Sequence, residues 1–396
     1  MATTIGIGHS HHPDPAQAFK EAAIAAKNQA NLGANDLTII FATSGYPMEK
    51  ETFEGLQKIL RPEEILYVMT PGIILPGSIE MRGVGILIIS SDEIRMNTAS
   101  IDQLSLLPLQ EAGIRVAREA ISNREMPKRH AICYFLSGPK KNNSIFIRGL
   151  QEGLGRAFPI LGAVSHDGTR AGHSMVGLQH RFSDDGAVAL LFGGQITLAF
   201  ASRHGTQPLG RPRIITKVEG NVIREIDGQP ANKLYENYFK EELAHAENGQ
   251  LGEIGLLYPL GVGTKVPKEY QVCLPVEVLP HGGLVVQSEI PSGAWVHLMI
   301  GDKDSCRKSA HDAAIEIREK LHGKPPKLIL VLESLARHRI LGRSSWQEIV
   351  MIKEILGLTT PIFGMYTYGE IVPHASMGNI PDIWAQSSSI TILAIG

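Results

Sequence analysis

The chain has 396 residues, 43% of them apolar and 20% charged, with a net charge of −2 at pH 7. That length exceeds one ordinary core, and the composition is that of a globular protein. Long runs of like charge are lacking, which argues against nucleic acid or an anionic membrane as the main partner.

The first segment, "GHSHHPDP", gathers His9, His11 and His12. Alternating histidines bind metals, but Asp14 followed by Pro15 is the signature of a capped helix start. A basic start followed by an apolar run is missing, so no signal peptide is expected. A helix is expected over Ala16–Leu32, with apolar residues at three- and four-residue steps. The short β-branched run Leu37–Phe41 reads as a buried strand. A helix at Phe53–Leu60, a strand at Glu64–Met69, the turn Thr70-Pro71-Gly72, a loop and a strand at Val84–Ser90 follow.

The same order then recurs. The second copy has a helix at Leu109–Asn123, a strand at His130–Leu136 and a helix at Ile147–Leu154. A strand at Pro159–Val164, the turn Ser165-His166-Asp167-Gly168 and a strand at Ala187–Gly194 complete it. Between the second and third copies a hairpin turns at Gly220-Asn221, and a helix is expected over Pro230–His245, with proline in its first turn. A strand-then-loop reading leads to Gly261–Lys265, which resembles a phosphate loop in composition only. The third copy has helices at Lys303–His322 and Ser345–Leu356, and strands at Lys327–Leu332, Pro361–Tyr366 and Ser389–Gly396. The expected fold is α/β of the mixed α+β kind. Helix-strand-helix-strand-strand units would form helix-covered mixed sheets in two domains.

A hydroxyl residue ends the second strand of every copy: Thr70, Ser165 and Thr367, with a glycine two or three residues on. Such strand-end loops are where α/β proteins often hold ligands. The second copy adds His166 and Asp167. The third adds Tyr366, Tyr368, Gly369 and Glu370 in five residues, mixing ring faces, hydrogen bonding and charge. Ser334 and Arg337 follow the neighbouring strand, so Arg337 is expected to face the Glu370 loop and grip a carboxylate. His204, in "SRHGTQPLG", is a further candidate to line a pocket.

No GxSxG, HExxH, Walker A or helix-opening GxGxxG occurs, and adjacent residues such as Ser165, His166 and Asp167 cannot converge as a triad. The chain therefore reads as a non-enzyme. Cys133, Cys273 and Cys306 stand far apart without a CxxC pair, which fits a reducing compartment and no sequence-local zinc site. The apolar runs are of strand length, far below the roughly 20 residues of a membrane span. A soluble, cytoplasmic protein is expected.

"GMYTYGEI", "ESLARHRILG" (Glu333–Gly342) and "HGTQPLGRPRIITKVEGNVIREIDGQPANKLYENYF" (His204–Phe239) together resemble the FIST family, short for F-box and intracellular signal transduction. The resemblance covers nearly the whole chain, with a FIST N-terminal domain at 1–230 and a FIST C-terminal domain at 231–396. It implies a stand-alone sensor of a small ligand, amino acid-like in some members. Others are haem-b nitric oxide sensors that signal to a partner histidine kinase. A haem would be non-covalent, since CxxCH is absent, with a histidine, cysteine, methionine or tyrosine as axial ligand. The resemblance points to Ser334, Arg337, Tyr366, Thr367, Gly369 and Glu370 as ligand contacts. This chain departs from the family in having Ser334 where a cysteine is common and Tyr67 where a glycine is usual.

Overall fold

The computed structural model describes residues 3–30, 35–138, 141–169, 172–244, 251–263, 270–374 and 382–396. Three units of one design follow each other. The first holds β1 (Thr4–Ser10), α1 (Pro15–Ala30), β2 (Asn35–Ala42), α2 (Lys50–Leu60), β3 (Pro62–Met69), a hairpin of β4 (Ile73–Ile74) and β5 (Ile79–Glu80), and β6 (Val84–Ser90). Asp14 caps α1, its carboxylate accepting from the Gln17 N–H at 2.8 Å. The second unit holds β7 (Ile94–Ile101), α3 (Leu109–Ser122), β8 (Arg129–Ser137), α4 (Asn143–Leu154), β9 (Ile160–Ser165), a hairpin of β10 (Val176–Leu178) and β11 (Arg181–Ser183), and β12 (Ala187–Gly194).

The third unit opens with β13 (Leu198–His204) and is interrupted by an insert. The insert comprises β14 (Thr206–Glu219), β15 (Val222–Ile226), β16 (Gln229–Pro230), α5 (Lys233–Glu236), α6 (Lys240–Ala244), α7 (Gly252–Leu257), β17 (Leu260–Gly263), β18 (Gln271–Cys273), β19 (Pro275–Val278), β20 (Leu284–Val286) and β21 (Trp295–Gly301). The unit resumes with α8 (Lys303–Lys320), β22 (Leu328–Ser334), α9 (Leu335–Leu341), α10 (Trp346–Leu356), β23 (Ile362–Thr367), a hairpin of β24 (Glu370–His374) and β25 (Asp382–Gln386), and β26 (Ser389–Ile395). The mixed α+β architecture is the one the repeat predicts. No helix among the described residues is long and apolar enough to cross a membrane.

Each unit builds the same sheet, with strand orders β1-β6-β2-β3, β7-β12-β8-β9 and β13-β26-β22-β23. The middle pairs β2–β3, β8–β9 and β22–β23 are parallel. Both faces of every sheet are covered, which explains the uninterrupted apolar runs in the sequence. In β8, Ala131, Cys133 and Phe135 point into a core shared by all three sheets, while Ile132, Tyr134 and Leu136 meet the helices α3 and α4. At the centre Phe41 stacks on Phe363 at 4.9 Å and meets Phe135 edge-on at 6.0 Å.

Two features of the unit differ from the sequence expectation. An opening strand (β1, β7 or β13) precedes each first helix. The expected loop before the last strand carries a hairpin, and that hairpin joins another unit's sheet. The β10–β11 hairpin extends the first sheet at β3, β24–β25 extends the second at β9, and β4–β5 extends the third at β23. The exchange is cyclic, and so are its joints. The N–H groups of Met69, Val164 and Tyr366 donate to the carbonyls of Met175, Gly369 and Gly72 at 2.8, 2.9 and 2.8 Å.

The recurring strand-end hydroxyl belongs to these joints. Thr70 donates to the Tyr366 carbonyl at 2.8 Å, and Ser165 to the Met69 carbonyl at 2.9 Å. Ser165 is wholly buried and also contacts Met175 O at 3.1 Å. Ser165→Ala strands buried carbonyls without their donor and is expected to cost about 1–3 kcal/mol in urea unfolding. A loss below about 0.5 kcal/mol, the usual size of a neutral surface change, would count against the joint.

Tyr67, the family departure, is a core residue in this frame. It pairs with Ile40, whereas Gly162 pairs with Tyr134 and Gly364 with Val331. A Cβ on Gly162 would lie 2.9 Å from the Tyr134 ring. The first unit puts its large side chain on the other strand of the pair, and Tyr67 packs edge-on against Phe182 at 5.7 Å.

The insert is an antiparallel sheet ordered β18-β17-β21-β14-β15-β20-β19, with β16 beside β15. Its hairpin turns at Gly220-Asn221 as expected. The helix expected over Pro230–His245 is instead β16 followed by two short helices, and His245 lies outside the described residues. Sheet pairing draws the segment in: Ala231 N–H donates to Arg224 O at 3.0 Å and Asn232 N–H to Gly282 O at 2.9 Å. The stretch leading to Gly261 is helix α7 and then strand β17, not strand then loop. Residues 264 and 265 lie outside the described residues.

Candidate functional site

The C-terminal ends of the parallel strands meet where the joints form. A Cβ added to Gly168 would lie 2.9 Å from Pro71 and 3.5 Å from Leu335, so loops of all three units converge there. The third unit breaks the cyclic pattern. The Val164 carbonyl, where the third hydroxyl would bond by analogy, takes the Tyr368 N–H at 3.2 Å. The Thr367 hydroxyl turns instead to the Glu370 carboxylate.

Glu370 is wholly buried, and Ser389 donates to its other oxygen at 2.5 Å. No cation bonds it among the described residues. Burial pushes its carboxyl up to about 7, against the hydroxyls of Ser389 and Thr367, which favour the charged form. Next to Ser389, the Ser387 and Ser388 hydroxyls are buried without a hydrogen-bond partner among the described residues. His204 is the register partner of Ser389 and is half-buried, so β13 brings it beside this cluster.

Gln287, just past β20, closes the cluster from the insert. Its side-chain N–H donates to Tyr368 O at 2.7 Å, and its carbonyl accepts from Asn143 N–H at 2.9 Å. Gly369 has φ +134°, and a Cβ there would lie 2.2 Å from the Gln287 amide oxygen. Only glycine meets both demands.

His166 stacks on Tyr368, ring centroids 4.0 Å apart and planes 13° from parallel. The Gly168 N–H donates to its Nδ1 at 2.9 Å, which leaves the hydrogen on Nε2. Burial lowers the imidazole to about 4, outweighing Asp167, so the ring is neutral near pH 7. Burial would raise Asp167, but bonds from Thr169 N–H at 2.9 Å and Thr169 Oγ1 at 2.8 Å leave it below its usual range. Asp167 also meets the exposed His173 at 3.2 Å. His173 is thus exposed and Tyr368 partly so, whereas Asp167 and Glu370 are buried.

Arg337 is placed otherwise than expected. Its guanidinium is fully buried and bonds Glu348 at 2.5 Å, the Ser309 hydroxyl at 2.8 Å and the Cys306 carbonyl at 2.8 Å, with Glu333 at 3.4 Å. It ties α9 to α8 and α10 and does not reach Glu370. The cause is local: α9 begins at Leu335, with Ser334 as its cap accepting from Ala336 N–H at 3.4 Å, and the first turn swings Arg337 under the helices. Burial and then the Glu348 charge raise Glu333 well above the carboxylate range. Tyr366 faces this same outer layer, wholly buried against His338 at 5.0 Å between ring centroids.

The structure therefore brings together Ser165, His166, Asp167, Thr367, Gly369, Glu370 and His204 at one strand-end cluster. Ser334, Arg337 and Tyr366 serve the layer beneath α8 and α10. Gln287, Ser387, Ser388 and Ser389 went unnamed by sequence reasoning. The "QSSS" run before the last strand was a readable hint, and Gln287 carried none. His166 does not fit haem iron: Nδ1 is occupied, its face is covered by Tyr368, and a Cβ on Gly172 would sit 3.2 Å from Nε2. Among the described residues, no group of three or more His, Cys, Asp or Glu is placed to hold a metal ion.

Comparison with known proteins sets this geometry in a family. Uncharacterized proteins of Mycobacterium bovis and Mycobacterium tuberculosis (Mb0898c and MT0897) are 22% identical over 221 residues, 54% of this chain, which spans about 56% of their length. The uncharacterized protein Rv0628c of Mycobacterium tuberculosis is 22% identical over 382 residues, 94% of this chain and 95% of its own. Two solved cyanuric acid hydrolases, one from A. caulinodans, are 8% and 7% identical with TM-scores of 0.38 and 0.32. The first alignment covers 99% of both chains and the second 100%. That likeness is too distant to bear on this chain's chemistry. The FIST N domain is matched over residues 36–229 and the FIST C domain over residues 231–373, so the chain belongs to the FIST family, whose domains point to small-ligand sensing in signal transduction.

Proposed function

We propose that the protein is a cytoplasmic sensor of an amino acid-like ligand, whose ammonium group binds at Glu370. One observation carries this reading: Glu370 is fully buried, bonded among the described residues by hydroxyl and backbone donors alone, and stands where the third unit departs from the other two. A buried carboxylate without a cation is costly, and an ammonium supplies the missing charge. Asp167 offers a second acid beside the exposed His173, while Tyr368 offers a ring backed by His166. Binding rather than turnover fits the hydroxyls nearby, since Ser165 and Thr70 donate to main-chain carbonyls and Thr367 to Glu370. The three cysteines are free and buried, in keeping with a reducing compartment. Gln287 couples the cluster to the insert, so occupancy would shift that sheet and relay the signal by contact to a partner such as a histidine kinase.

The test is a thermal-shift panel of amino acids and amines on the full chain, alongside reconstitution with haem. At about 100-fold excess over Kd, a true ligand adds roughly 2.7 kcal/mol of stability. Its N-acetylated analogue and the Glu370→Gln variant show no such gain. If no amine shifts the melting temperature, the ammonium reading fails. A strong absorption band near roughly 400–430 nm after haem addition would replace it with a haem sensor.

A further inference from the structure

The three-unit design allows equivalent places to be compared, and one is filled by aromatic rings in the first unit but by aliphatic side chains in the third. In the first unit, Phe182 of the donated hairpin β10–β11 lies opposite Gly177, which pairs with Tyr67. Phe182 packs edge-on against Phe53 of α2 at 5.8 Å and Tyr67 at 5.7 Å. In the third unit, Ile79 of the donated hairpin β4–β5 lies opposite Ile74, which pairs with Gly364. The third unit has Ile79 for Phe182, the buried Ile74 for Gly177 and Gly364 for Tyr67, so aliphatic side chains stand where the first unit has rings, and a cleft of about 420 Å³ lies between the hairpin and the start of α10.

The cleft is lined by Ser78, Ile79, His338, Arg343, Ser345 and Trp346, among others. The Trp346 side chain is 50% exposed, far more than a core indole. Arg343 is exposed and makes no ion pair among the described residues. His338 is half-buried, and burial followed by Arg339 lowers its imidazole, leaving Arg343 as the charged group lining the cleft. The Ser78 hydroxyl is turned to Glu80 at 2.8 Å. Behind His338 lies Tyr366, wholly buried. An indole face and an unpaired guanidinium beside a missing aromatic plug select a flat ring bearing an anionic group.

We propose that this cleft is a second binding site, separate from Glu370, for a small aromatic carboxylate or phosphate. Its ring would lie against Trp346 and Ile79, which stands where the first unit has Phe182, with the anion on Arg343.

Benzoate, phenyl phosphate and uncharged benzamide serve as probes in ligand-observed NMR with the full chain. At least one anion is expected to bind, with benzamide about tenfold weaker or silent, and the stronger anion identifies the class. Arg343→Gln and Trp346→Ala, both at exposed positions, should weaken binding about tenfold while keeping the wild-type melting temperature. Ile79→Phe, which restores the plug of the first unit, should block it. Binding should persist in Glu370→Gln, which separates this site from the one above. If neither anion binds, or if the three cleft variants bind as the wild type does, the proposal is wrong.

Discussion

Replacing Arg337 with alanine is expected to cost about 3–5 kcal/mol of folding stability, enough to unfold much of the protein. The cost does not come from the lost attraction. The guanidinium supplies the positive charge between Glu348 and Glu333, all three side chains being wholly buried. Without it the Glu348 carboxylate stays in the interior with no counter-ion, and the Ser309 hydroxyl and Cys306 carbonyl lose a partner. A triple change to Met at 337 and Leu at 333 and 348 should recover most of the loss, because removing the whole charged set leaves nothing unpaired. Urea denaturation compares the two. A stable Arg337→Ala protein would mean that the network is wetter than its geometry implies.

The second large effect is a pH dependence centred on Glu370. Its folded-state carboxyl stands near 7 against an ordinary 4.5, so the folded state holds the proton more tightly than the unfolded chain. The stabilisation is complete below about pH 4.5 and is lost as pH rises through about 7. The difference corresponds to roughly 3 kcal/mol at about 1.36 kcal/mol per pH unit. Glu370→Gln removes the ionisable group, so the variant should gain on the wild type by up to that amount at pH 8 and by little at pH 4.5. Stability curves of the two proteins running parallel from pH 4.5 to 8 would refute the assignment. The same substitution abolishes the proposed ligand response, so a more stable but unresponsive protein is the expected phenotype.

The helices and central strands were legible because each carries its own pattern. Strands such as Leu328–Ser334 are buried on both faces and therefore run apolar without a break over 328–332. The opening strands were not, since Thr4–Ser10 and Ile94–Ile101 mix glycine, serine and asparagine with apolar residues. The hairpin strands are as short as two residues, too short for a period to appear, and their pairing partners lie elsewhere in the chain. Glu370 stood out because only the last copy of the repeat has it. Arg337 was misplaced because nearness of two loops in a topology says nothing about side-chain direction, which one unpredicted helical turn decided. Gln287 reaches the cluster from an insert whose docking no local signal encodes.

The ring of exchanged hairpins bears on how the chain acquires its structure. Each unit leaves a bare strand edge until another unit arrives, and among the described residues the edge of β9 is covered by Tyr368, Gly369, Glu370 and Ile371, roughly two hundred residues further along. Synthesis from the N-terminus therefore exposes that edge until Ile371 has emerged, a window in which intermolecular strand pairing competes. The matched FIST N region cannot close its own second sheet without a strand from the FIST C region. Such long-range closure favours slow, all-or-none acquisition of structure over independent folding of the two halves.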